Sequence, residues 1–174
     1  MIAIIGIAAA VIVLAAIALL FNRLVGLRNK TRYTWSDCEA VLARRAQAIP
    51  RLASVVEGAM AHERGVFEAV AAARSGTTAA AASDGPSEER FEAERRLGTA
   101  GAGLVAVAES YPQLRAQEAA MELIAALKDV EGDLRRARMV YNRTVQTYED
   151  ARQTFPSSLV AGAFRFGPLP YFSD

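Results

Sequence analysis

The stretch from Ile2 to Phe21, IAIIGIAAAVIVLAAIALLF, constrains this chain more than any other. It carries no charged residue and nothing more polar than Gly6. A helix of that length rises about 30 Å, which matches the hydrocarbon thickness of a bilayer. A membrane-spanning helix is therefore expected at residues 1–21, and whatever follows must fold beside a membrane.

The flanks decide what kind of span this is. No Lys or Arg precedes the apolar run, and the run ends in Ala-Leu-Leu-Phe rather than an A-x-A cleavage pattern, so a retained anchor is expected. Arg23, Arg28, Lys30 and Arg32 all come before the first acid, Asp37. The positive-inside rule then places the N-terminus outside and the bulk in the cytoplasm. The same four cations are candidate contacts for anionic lipid headgroups, each worth about 1 kcal/mol near the surface.

The remainder reads as all-α: the anchor continuing into a long-helix antiparallel cytoplasmic bundle. Twenty Lys and Arg stand against nineteen Asp and Glu, interspersed along the chain, so the basic footprint of a nucleic-acid binder is missing. One cysteine and one histidine supply neither an intrachain disulfide nor a zinc site. His62-Glu63 lacks the second histidine of a zinc-protease motif, and no metal, cofactor or catalytic residues are expected. Cys38 falls on an apolar face and reads as a small buried hydrophobe.

From Cys38, spacing of three and four gives Leu42, Arg45, Ile49, Leu52, Val56, Ala59, Glu63, Val66, Val70 and Ala73. This is a heptad seam with polar interruptions at Arg45 and Glu63. Toward the membrane it lapses between Trp35 and Leu24, which predicts a solvated stalk. Pro50 is expected to bend or break this first helix. Residues 75–87, SGTTAAAASDGPS, read as a linker that Ser83 or Asp84 can end, with Pro86 opening the second helix. That helix runs from about Ser87 to Ser110 on a thin stripe of Phe91, Leu97, Leu104, Val107 and Ala108. Gly98, Gly101 and Gly103 weaken it, and close approach of a neighbouring helix is the expected compensation. Tyr111-Pro112 ends it. The third helix, about Arg115 to Thr154, keeps its spacing from Leu123 through Leu127, Val130, Leu134, Ala137, Tyr141, Thr144, Tyr148 and Ala151 to Phe155. A short turn through Ala163 closes the bundle at residues 22–163, and residues 164–174 form an aromatic, non-helical tail.

Residue order and spacing then carry a resemblance. The anchor runs into FNRLVGLRN, followed by RRAQAIPRLASVVEGAMAHE, AAARSG, AESYPQLRAQE, VEGDLRRARMVYNRTVQTYEDARQTFPSSLVA and FRFGPLPYF. In this the chain resembles the LemA family of bacterial membrane proteins along nearly its whole length. Phe21 stands where the family usually has Tyr, and Gln117 where an Asn often caps the third helix. The resemblance implies a helical-bundle cytoplasmic domain behind one span and no defined biochemical activity.

Buried charges are costly unless paired. Arg45 and Glu63 on the seam should therefore find partners among Glu109, Glu131, Arg138 and the Tyr141 hydroxyl, in a polar network that fixes helix register. A carboxylate dyad for acid–base chemistry is the alternative, but the chain offers no nucleophile for it. For the aromatic tail (Phe164, Phe166, Tyr171 and Phe172), docking on the bundle is the first expectation. Contact with another protomer is the second, and insertion at the membrane interface the third. The first helix could reach about 80 Å past the membrane and the second only about 36 Å. Seam near Trp35, Leu42 and Ile49 is then expected to be exposed and buried against a second copy or a membrane protein partner. The chain reads as a non-enzymatic, self-assembling scaffold, with an adaptor or sensing arm of a signalling or proteolysis system as the alternative.

Overall fold

A computed structural model describes residues 1–60, 62–82 and 85–173. Six helices account for the regular structure among them: α1 (Ile2–Val56), α2 (Arg64–Ala80), α3 (Glu88–Ser110), α4 (Pro112–Arg115), α5 (Glu118–Gln153) and α6 (Ser157–Ala163). The all-α architecture follows from the long apolar periodicities, and α1 is the one helix among the described residues long and apolar enough to cross a membrane.

α1 is the spine, and α5 runs antiparallel along it. Thr34 and Thr144 share a hydroxyl hydrogen bond at 2.8 Å, and farther out Arg44 pairs with Asp133 at 2.8 Å. Three apolar layers stack along this pair. The first joins Leu24 to Tyr148, Ala151, Val160, Ala161 and Phe166. The second gathers Trp35, Cys38, Leu42, Phe91, Leu134, Tyr141 and Phe172. The third closes the far end with Ile49, Leu52, Val56, Met60, Leu97, Leu104 and Ile124. α3 covers the distal half of α1, and α2 packs chiefly on α3.

Several expectations need correction. α1 continues through Pro50 to Val56. The proline deletes one backbone bond, while Leu52 and Val56, both fully buried, carry the seam onward. The helix ends instead at Val56, and Met60 beyond it turns back into the core. The expected linker begins too early. Val70, Ala73, Thr77 and Ala80 continue one packed stripe, so α2 extends to Ala80. The proposed stop at Ser83 or Asp84 lies outside the described residues. α3 is capped by Ser87, whose hydroxyl accepts from the Arg90 amide at 3.2 Å, and Pro86 stays outside the helix. No solvated stalk separates Leu24 from Trp35. Leu24 and Thr31 are both buried, and the Thr31 hydroxyl donates to the Leu27 carbonyl at 3.1 Å, so a threonine serves in an apolar seam. In α5 the buried partner is Ile124 rather than Leu123, and Phe155 lies past the helix end, 75% exposed.

The α3 glycines divide. A Cβ at Gly98 would meet Arg45 Nη1 at 2.8 Å, and one at Gly101 would meet Ile49 Cδ1 at 2.7 Å. A Cβ at Gly103 would meet nothing within 4 Å beyond its own helix turn. Close approach to α1 explains the first two and leaves the third without a packing reason.

Candidate functional site

Arg45 lies 3% exposed between the second and third apolar layers. Its Nη2 donates to Glu94 Oε2 and to the Glu94 carbonyl, both at 2.6 Å, and its Nη1 reaches Glu131 Oε1 at 3.4 Å. Glu94 is itself 5% exposed, whereas Glu131 sits at the rim. The missing side chain at Gly98 makes room for the guanidinium. Arg45 Nε has no partner, so the plug is not fully satisfied. Burying an ion pair costs as much desolvation as its attraction returns, so this pair specifies how α1, α3 and α5 meet more than it adds stability.

The expected network is therefore partly assembled and partly scattered. Glu131 joins Arg45, but the principal partner is Glu94, which the seam argument missed. A signal was available: Glu94 lies one turn before Gly98, on the face of α3 that admits Arg45. Glu63 stands apart at the start of α2, accepting a hydrogen bond from the Tyr111 hydroxyl at 3.1 Å. Burial, then the neighbouring Glu63 carboxylate, pushes the Tyr111 hydroxyl pKa up. Glu109 pairs with Lys128 at 2.6 Å on the surface. Tyr141 donates to the Pro170 carbonyl at 2.8 Å, and the Arg138 guanidinium lies 5.5 Å from the Phe172 ring centre. Glu63 and Arg45, paired by the seam argument, are thus not brought together.

The second layer is an aromatic box. Trp35 meets Phe91 and Tyr141 edge-on at 5.6 and 5.5 Å, and Phe172 stacks on Phe91 at 4.5 Å. Arg90 covers the Trp35 face at 5.0 Å and pairs with Glu39 at 2.8 Å. Inside the box, burial and the flanking Asp37 and Glu39 push the Cys38 thiol up to about 12, so it behaves as a hydrophobe.

Side chains of α5 lace the tail in place. Asn142 donates to the Phe172 carbonyl at 3.0 Å and accepts from its amide at 2.8 Å. Tyr148 donates to the Gly167 carbonyl at 2.7 Å, and Glu149 accepts the Leu169 amide at 3.0 Å. Burial pushes the Glu149 carboxyl up, but Arg152, the Leu169 amide and Gln153 together outweigh it and hold it below the usual carboxylate range. Phe166 and Phe172 are consequently buried, whereas Phe164 and Tyr171 remain 54% and 43% exposed.

Trp35, Leu42 and Ile49, expected on an exposed seam, are buried inside the chain's own bundle at 4%, 2% and 0% exposure. The 36-residue α5 covers the length of α1 that α3 cannot reach. Arg23, Arg28, Lys30 and Arg32 are all exposed, around the proximal end of α1.

Two open grooves flank α3. One of about 630 Å³ runs between α3 and α5 past Gly98, Val105, Lys128 and Glu131. The larger, about 950 Å³, lies on the α2–α3 hairpin and is lined by Ala69, Ala72, Ala73, Gly76, Ala100 and Gly103, with Glu89, Glu92, Arg95 and Arg96 among its walls. Among the described residues no group of His, Cys, Asp and Glu is placed to hold a metal ion.

A span-length apolar helix that runs unbroken into a bundle strapped by its own C-terminal tail defines an all-α protein with an N-terminal transmembrane-type helix. Within that class the chain belongs to the LemA family, whose family model matches residues 34–174. That match takes in the bundle and the tail and begins just after the basic residues that follow the apolar stretch. No curated protein matches the chain.

Proposed function

We propose that this chain is a non-enzymatic scaffold, anchored in the bacterial inner membrane with its bundle in the cytoplasm, which assembles with further copies of itself through the α2–α3 hairpin. The observation that carries this reading is the hairpin groove. Its floor is alanine and glycine, which let another helix approach closely, and its walls carry both signs of charge. A self-complementary patch of this kind suits a symmetric pairing in which each copy presents the same surface. α2 supports the same reading, since it exposes Ala69, Ala72 and Gly76 and buries little beyond Val70, Thr77 and Ala80. The site of assembly thus moves from the membrane-proximal seam, which the chain covers itself, to the distal hairpin.

Mass measurement of the full chain in detergent or nanodiscs at tens of micromolar tests this. More than one copy per particle is expected, and Ala72→Trp, which fills the groove from an exposed helix position, should return it to one. A single copy for the unaltered chain would overturn self-assembly and transfer the reading to an adaptor of a membrane signalling or proteolysis system.

A further inference from the structure

We propose that α6 and its flanking residues Phe155 and Phe164 form a second membrane contact, seated in the headgroup–acyl boundary beside α1. The proposal rests on reading α1 as a membrane span.

The first argument is depth. Residues 2–16 of α1 are exposed throughout. The uncharged apolar run does not stop there: it continues to Phe21, and Ile2–Phe21 rises about 30 Å, the hydrocarbon thickness a span must match. The bilayer therefore reaches about Leu20. Yet Ile17, Leu20 and Phe21 are already half-buried against the layer that holds Val160, Ala161 and Phe166. The Phe21 ring meets Phe164 at 4.9 Å and Phe166 at 5.6 Å. Because α1 is one continuous helix, whatever packs on Ile17 to Phe21 shares their depth.

The second argument is the chemistry of the outward face. α6 buries Ser157, Val160 and Ala161 and turns Leu159, Gly162 and Ala163 outward, with the half-buried Ser158 as the one polar side chain beside them. Phe155, Leu159 and Phe164 are 75%, 65% and 54% exposed. No acidic residue occurs from Gln153 to Ser173, while Arg165, Arg23 and Arg28 supply cations where anionic headgroups would lie. A water-facing helix surface carries charge, whereas an interfacial one carries Leu and Phe with basic neighbours.

The third argument is how Phe164 is held. Arg165 takes a left-handed backbone at φ 55°, the Phe166 amide bonds back to the Ala161 carbonyl at 2.9 Å, and the Arg165 amide bonds to Gly162 at 3.3 Å. This Schellman closure ends α6 with its two phenylalanines against Phe21.

The test uses the full chain in phosphatidylcholine–phosphatidylglycerol vesicles, with an environment-sensitive fluorophore on Leu159→Cys, Phe155→Cys, Ile12→Cys or Ala125→Cys, the last on an exposed position of α5 away from the hairpin groove. Cys38, fully buried, stays unlabelled. Labels at 159 and 155 should emit to the blue of the Ala125 label. Nitroxides placed shallow on the lipid chains should quench them several-fold more strongly than the Ala125 label, and deep nitroxides should quench Ile12 best. Labels at 159 and 155 that iodide reaches as readily as Ala125 would overturn the seat and leave the span intact. Labels shielded from iodide yet untouched by lipid nitroxides would overturn it in favour of a protein contact. An Ile12 label that lipid quenchers do not reach would overturn the span, and the seat with it.

Discussion

Replacing Glu94 with Leu removes the better partner of a buried guanidinium. Arg45 keeps the Glu94 carbonyl at 2.6 Å and Glu131 at 3.4 Å, so the loss should fall at the lower end of what breaking a buried pair costs, about 3 kcal/mol. For a chain of this size each kcal/mol lowers Tm by about 2–4 °C, so circular dichroism of the full chain in detergent should show a fall of about 6–12 °C. Adding Arg45→Met removes the orphaned charge and the unpartnered Nε, and Glu131, a third exposed, can turn to water. The double variant should therefore recover to within about 1 kcal/mol of the parent, or exceed it. A Glu94→Leu protein within about 1 kcal/mol of the parent would refute the buried-pair reasoning. So would a double variant no more stable than the sum of its single changes.

The α3 glycines make a paired test. Gly103→Ala adds a methyl group in open space and should stabilise α3 by up to about 1 kcal/mol, whereas Gly101→Ala drives a Cβ onto the fully buried Ile49 and should destabilise; chemical denaturation compares the signs. Arg165→Gly should raise stability by about 1 kcal/mol, because glycine occupies a left-handed backbone without the Cβ penalty, and an unchanged or lowered Tm would count against the α6 closure. Glu149 is held below the usual carboxylate range, so its hold on the tail is complete above the unfolded carboxylate value of about 4.3 and is lost as pH falls through the lower folded value. Hydrogen exchange at the Leu169 amide should accelerate across that acid window, and Glu149→Gln should flatten the dependence.

Periodicity made the spine and the long antiparallel partner legible, since Cys38 to Val56 and Leu127 to Ala151 each keep a sustained three-and-four spacing, interrupted by polar residues only at Arg45 and Thr144. It did not show which residues are deep. Arg45 reads as an interruption of the seam, and only its approach to Gly98 and Glu94 on another helix turns it into a plug. Pro50 is the strongest local signal for a break, yet tertiary packing of Leu52 and Val56 overrides it, and the helix ends at Val56 instead. The tail illustrates the same limit: aromatic composition shows that it must be covered, while the hydrogen bonds that place it come from Asn142, Tyr148 and Glu149 on α5. Comparing the first helix with the second alone made Trp35, Leu42 and Ile49 look uncovered; counting α5 as cover removes the need for a partner there.

The apolar stretch at Ile2–Phe21 and the bundle are joined without a hinge among the described residues. From Phe21 to Val56 α1 rises about 52 Å. α5, α6 and the tail grip it from Leu24 through Thr34 and Trp35 to Arg45, so this length moves as one arm. A change of about 10° in the tilt of the span, within what bilayer thickness alone can impose, would swing the Val56 end by about 9 Å. A single span leaves that tilt free. A second contact at α6, off the axis of α1, would set it, and would convert bilayer thickness or charge at Leu159 and Arg165 into the position of the α2–α3 hairpin. The proposed pairing of hairpins between copies would need them at one height above the membrane, and two attachments per chain would supply that where one would not.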